Sequence, residues 1–209
     1  MSRPAGKNKG QERGALAPQR SHGRLRVAEL LEAGAAVIAE KGYEAATMAE
    51  IAARAGAPIG SLYRFFPSKE VLADALIQRF GERVDEVFAK FEERLPGLSM
   101  AAVAEALLAL IDDLRGERLA MRALLEGSAE WSAKREAFRN GMRRRIARTL
   151  MLRRPTLRPK MAANMAVIVL QNMKMVGVLK QELRGEALAG ALGELREMTR
   201  VYLAGRLEG

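Results

Sequence analysis

Between Thr47 and Pro67 the chain has room only for two short helices set at an angle. Thr47 opens "TMAE", in which the threonine hydroxyl takes the backbone N–H of Glu50 and the Glu50 carboxylate reaches back, a capping box. The helix it starts runs to Ala55. Gly56 ends that helix, because glycine enters the left-handed conformation without a Cβ penalty. Ala57-Pro58 begins the second, since proline is tolerated in a first turn. Pro67 pushes Phe66 out of the helical region about two turns later, and Ser68 caps the next helix. Upstream, Val27, Leu30, Leu31, Gly34/Ala35 and Ile38 recur at three and four residues from Leu25 until Gly42 follows Lys41 as a stop. A bracing helix, a helix, a tight glycine turn and a short helix make the pattern of a helix-turn-helix, which lays its last helix in the major groove of DNA.

That last helix carries "YRFF", which holds three of the ten aromatic residues of the chain. Leu62 and Phe66 lie four apart, opposite Ile51 and Ala52, and are read as core. Tyr63 and Phe65 are expected to point elsewhere. An exposed phenol donates to a phosphate oxygen and fixes register without reading sequence, while Phe65 would press on sugar or a thymine methyl. Lys69, beside the free N–H groups that start the next helix, is placed for phosphate. Ile59 stands three residues before Leu62 and fits either core or contact. The candidate DNA-contacting set is Thr47, Pro58, Ile59, Gly60, Ser61, Tyr63, Arg64, Phe65 and Lys69.

The formal net charge of +10 points towards polyanions. Residues 1–70 carry 11 Lys+Arg against 7 Asp+Glu, residues 134–160 carry 11 against 1, and the remainder carry 13 against 17, so two basic regions flank an acidic middle. Residues 1–23 are rich in Gly, Pro, Lys and Arg without apolar periodicity and are read as a disordered basic arm bearing Arg3, Lys7, Lys9, Arg13 and Arg20. Catalytic hardware is scarce. There is no cysteine, the single histidine, His22, falls in the arm, and G-x-S-x-G, a phosphate-cradling glycine loop and metal-ligand spacing are all missing. Neither metal nor cofactor is expected. With no run of 18 apolar residues and no leader, a cytoplasmic protein without membrane insertion is expected.

Beyond residue 70 the reading is helical throughout. Leu72, Leu76, Phe80, Val84, Phe88, Phe91 and Leu95 mark a long fourth helix stopping at Pro96-Gly97. A fifth helix runs from Ser99 through Leu114, a sixth from Gly116-Glu117 to near Trp131, a seventh over 132–152, an eighth over about 159–183 and a ninth after Gly185. The fold class expected is all-α, about nine helices. The domains expected are the arm (1–23), a helix-turn-helix domain (24–70) and a helical effector-binding and dimerisation domain (71–209). Helices eight and nine form an antiparallel hairpin, and two hairpins would make a four-helix interface in a homodimer. Met161, Met165, Ile168, Asn172, Met175/Val176 and Leu179 form its apolar stripe, with Gly177 allowing close approach.

Two further groups stay open on sequence. Met121, Trp131, Met165, Gln171, Asn172 and Met173 are either bundle core or the wall of an apolar effector pocket, since methionine is adaptable and a few amides would orient a ligand. In the basic stretch, Phe138, Met142, Ile146 and Leu150 step by four among Arg135, Arg139, Arg143, Arg144, Arg145 and Arg148. It fits a solvated face, an anionic effector site, an acidic lipid surface or steering towards DNA.

"LLEAGAAVIAEKGYEAATMAEIAARAGAPIGSLYRFFPSKEVLADAL", residues 30–76, resembles the N-terminal domain of the TetR (tetracycline-repressor-like) family of bacterial transcriptional regulators. The resemblance lies in "AEKGY", the Thr opening the second helix, "IAARAG", "GSLYRFF" and "PSKE", and covers about the first third of the chain. It implies a homodimer that binds a pseudo-palindromic operator and releases it when a small molecule enters the C-terminal domain. Two positions depart from the family pattern. Pro58 stands where such proteins often carry Ser or Thr, and Ile59 where they often carry Lys, Arg or Gln. The polar base contact then falls to Arg64 or to the arm in the minor groove. Two other readings are a sequence-nonspecific architectural DNA-binding protein and an enzyme with an incidental helix-turn-helix, the latter the weakest.

Overall fold

The computed structural model describes residues 21–110, 114–126 and 131–208. Among them there are nine α-helices and no strand: α1 (Ser21–Lys41), α2 (Met48–Arg54), α3 (Ile59–Phe65), α4 (Lys69–Arg94), α5 (Met100–Ala109), α6 (Arg115–Glu126), α7 (Ser132–Arg153), α8 (Pro159–Glu182) and α9 (Gly185–Leu207). The all-α expectation holds.

Local chemistry explains most boundaries. Thr47, Ser68 and Ser99 each accept a backbone N–H three residues on and so cap α2, α4 and α5. At the end of α2, Gly56 has φ +56° and donates to Ala53 O while Ala57 donates to Ala52 O, the two bonds of a Schellman motif. Phe66 is extended before Pro67 as expected. A 3-10 turn at Leu95–Gly97 closes α4.

Two boundaries differ from expectation, and a third lies outside the described residues. The first helix begins at Ser21, so residues 21–23 belong to it and not to the arm, whose residues 1–20 lie outside the described residues. The fifth helix ends at Ala109 with Leu110 as its cap rather than at Leu114, and nothing in the apolar spacing marks that end. The stretch 127–130 between α6 and Trp131 also lies outside the described residues.

One apolar core runs through the molecule. Leu30, Ile38, Ile51, Leu62 and Phe66 close the first three helices onto Leu72 of α4; Val84, Leu107, Leu124, Ile146, Met165 and Met173 continue it through the bundle, all at 1% exposure or less. Each such side chain contributes roughly 1.5–3 kcal/mol by leaving water. Gly34 lets α1 approach α4, since a Cβ there would stand 3.1 Å from Leu72 Cδ2. α6 packs on α1, α7 along α8, and α5 against α9. By length and composition α8 could cross a membrane, yet its Ala162, Met165, Ala166, Val169 and Met173 are wholly inside this bundle.

Candidate functional site

Helix α3 divides into two edges. Its inner edge holds Leu62, Phe65 and Phe66, all buried. The outer edge presents Ile59 (43% exposed) and Tyr63 (49%), four residues apart, beside Gly60 and Arg64. The exposure of Ile59 removes its core alternative. Nothing lies within 4 Å of a Cβ built on Gly60, so the backbone is open to a close approach. Pro58 is exposed at the N-cap and Ser61 is half-buried. The Arg64 guanidinium lies 4.7 Å over the Phe65 ring and joins His22, Arg26 and Ser61 around a shallow depression where α1 begins.

Two sequence expectations are corrected here. Phe65 does not face outward: it is 6% exposed, because positions 62, 65 and 66 share one helical face and the core stripe is wider than Leu62 and Phe66 alone. The Lys69 ammonium is turned inward. It donates to Tyr43 O (3.0 Å), Glu44 O (3.1 Å) and Ala46 O (3.2 Å) and sits 4.5 Å over the Tyr43 ring. The turn between α1 and α2 leaves those carbonyls without helical partners, and Lys69 supplies them. Thr47 is exposed but engaged in its capping box: Glu50 N donates to Thr47 Oγ1 (3.2 Å) and Thr47 N to Glu50 Oε2 (3.2 Å). Lys41, then Thr47, hold the Glu50 carboxyl below the usual carboxylate range by hydrogen bonding to it.

The same turn touches the bundle. Tyr43 packs on Trp131 with the rings tilted by 46° and their centroids 4.5 Å apart, and Lys134 lies 4.6 Å over the indole while pairing with Asp74 of α4. Burial first, then Glu70, raises the Tyr43 phenol above the ordinary tyrosine range. The result is a file of Lys69, Tyr43, Trp131 and Lys134 joining the α1–α2 turn to the start of α7. Trp131 therefore packs on the turn between α1 and α2. No local pattern marks this contact, because its aromatic partners are far apart in sequence.

An apolar-walled space lies between α4, α6, α7 and α8, a cavity of about 450 Å³. Phe80, Val84, Leu125, Phe138 and Met142 wall it, and Phe80 and Phe138 meet at 5.6 Å. Of the sequence candidates only Met121 lines it. Met165 and Met173 are fully buried core, Gln171 is exposed, and Asn172 donates to Thr199 Oγ1 at 3.1 Å. A second space of about 420 Å³ adjoins it across Phe80 and Met121, bounded by Leu31 and Ala35 of α1. Sequence reasoning missed Phe80 and Val84, whose spacing on α4 reads equally well as plain core.

Residues 30–76 match the family of bacterial regulatory proteins described as the tetR family, and these are the residues that build α1–α3 and the start of α4. Residues 30–76 thus form a domain of the tetR type. The family is one of transcriptional regulators, not enzymes. The HTH-type transcriptional repressor KstR2 of Mycobacterium tuberculosis is 43% identical over 84 residues, which are 35% of this chain and 40% of that repressor; the match thus spans well under half of the curated relative. Over the whole fold, a transcriptional regulator from Aquifex aeolicus VF5 superposes with a TM-score of 0.64 at 22% identity, covering 85% of this chain and 97% of the other. The Bacillus subtilis transcriptional regulator FadR, solved in complex with stearoyl-CoA, does so with a TM-score of 0.58 at 20% identity, covering 84% and 96%.

The basic stretch is partly paired. Lys134, Arg145 and Arg148 reach Asp74, Asp85 and Glu92 of α4, and Arg139 and Arg143 reach Glu136. One side of it is thus a seam to the acidic α4, and Arg139, Arg144, Arg148, Arg158 and Lys160 are exposed. The hairpin stripe also splits. Met165 and Val176 turn into the core, whereas Ile168 and Met175 of α8 and Met198 and Val201 of α9 are 45–54% exposed.

Proposed function

We propose that the chain is a dimeric transcriptional repressor that binds an operator through α3 and lets it go when a small molecule fills the α4–α6–α7–α8 cavity. One observation carries this reading. Two of the four helices that wall the cavity also contact the helix-turn-helix: α4 offers Phe80 and Val84 to the cavity and Lys69 to the head, and α7 offers Phe138 to the cavity and Lys134, next to Trp131, to the head. A molecule that displaces the wall therefore moves the head. In this reading 24–70 is the DNA-binding domain and 71–209 the effector and dimerisation domain, with the arm before them.

Tyr63 anchors a phosphate, Arg64 reaches a base edge or phosphate, Ile59 and Gly60 allow close apolar approach, and Thr47, Pro58 and Ser61 flank the contact. The exposed apolar residues Ile168, Met175, Met198 and Val201 supply the homodimer face of α8 and α9. A fold neighbour solved with stearoyl-CoA supports a bundle of this shape holding an effector. The test is to sequence the DNA that the protein retains from its own genome and to measure its affinity for that DNA against random competitor. A repressor prefers its site by ~10³ or more at physiological salt; an even affinity would make it an architectural DNA-binding protein instead.

A further inference from the structure

The cavity of about 450 Å³ has an apolar interior and a mostly cationic rim. Arg122, Arg135, Arg139 and Lys174 line it against one carboxylate, Glu126. Arg122 is paired with Glu126 at 3.0 Å and Arg139 with Glu136 at 2.8 Å. Lys174 has no acidic partner among the described residues. Burial first, then the like charges of Arg139 and Arg143, hold its ammonium below the ordinary lysine range. Beside it Arg143 keeps its Nε buried with no hydrogen-bond partner among the described residues. Arg139 and Lys174 thus meet at one edge of an apolar space with Arg143 behind them, and among the described residues no protein anion answers Lys174. Such a cluster raises the energy of the empty site, and an anion placed there lowers it.

Resting on the reading of this cavity as the effector site, we propose that it takes an amphipathic organic anion, an apolar chain or ring body lying against Phe80, Val84, Phe138 and Met142 with one carboxylate or comparable anionic head at Lys174 and Arg139. The volume falls within the roughly 300–1,000 Å³ of small-molecule sites. The division of labour is physical: the wall supplies affinity in proportion to apolar area, and the rim supplies choice between an anion and its neutral analogue through charge-assisted hydrogen bonds.

The test uses the full chain and three probes of equal chain length: decanoate, decanol and decyltrimethylammonium, each titrated by calorimetry. Decanoate is expected to bind at least ~10-fold more tightly than decanol, with the cation weakest. Lys174→Met should erase the gap between decanoate and decanol while leaving decanol affinity unchanged, which also reports that the wall is intact; Arg139→Gln should narrow the gap. Equal affinity for decanoate and decanol, no binding of any probe, or an undiminished gap in both variants would overturn the proposal. Occupancy of the retained genomic DNA fragment is followed in the same samples. Discrimination without DNA release upholds the anion site and removes the effector-gating reading, so the two fail separately.

Discussion

Four consecutive aromatic or cationic residues at the end of α3 and its C-cap serve three different ends. Phe65 and Phe66 fix the helix in the core, Tyr63 faces out, and Arg64 lies over the Phe65 ring. Phe65→Ala should therefore cost about 3–5 kcal/mol of stability, as removal of a core phenylalanine does, and lower the melting temperature before any effect on DNA is considered. Lys69→Met should also lower it, because three turn carbonyls lose their donor, while leaving the salt dependence of DNA binding unchanged. A salt slope reduced by about one would return Lys69 to the phosphate backbone. Tyr63→Phe keeps the fold and should weaken binding to operator and random DNA alike, whereas Arg64→Ala should narrow the preference between them. Competition titration separates the two. The capping box at Thr47, the Gly56 turn and the Pro67 break were legible because each is written within four or five residues. The placing of Phe65 and Lys69 was not: a short apolar stripe fits two faces of a short helix, and the partners of Lys69 stand 23–26 residues away.

At the level of elements, charge organises α7 and apolar exposure organises α8 and α9. The basic run on α7 reads in sequence as free charge, because its partners Asp74, Asp85 and Glu92 are spread along α4 at least 56 positions upstream. Helix periodicity found the hairpin, yet it could not say which side of the stripe faces α5 and α7 and which faces out, since Met165 and Ile168 differ by less than one turn. The outward pair of residues on each helix gives a direct test. Met198→Glu with Val201→Glu should leave the melting temperature of the separated chain near that of the native one and convert the dimer to monomer in sedimentation, with loss of operator affinity of ~100-fold or more as avidity disappears. Retention of the dimer would move the interface elsewhere.

On the scale of the whole molecule, the two readers of the proposed dimer must match half-sites roughly 34–36 Å apart, and small displacements of α4 and α7 would change that separation. To release DNA ~100-fold the effector needs about 2.7 kcal/mol of preference for the free state, and bound DNA must weaken the effector by the same factor. Deleting residues 1–20, which precede α1 at the edge of α3, should weaken DNA binding without changing the melting temperature; a fall in stability would mean the arm packs as part of the fold. Trp131→Ala should uncouple the sites, so that effector affinity becomes the same with and without saturating DNA. Trp131 has another consequence, because it is the sole tryptophan of the chain and packs on Tyr43 at the junction between head and bundle. The native protein thus carries its own fluorophore where the head meets the bundle. Indole emission, sensitive to the neighbouring Lys134 charge and to loss of the ring contact, turns head movement into an optical signal that needs no label.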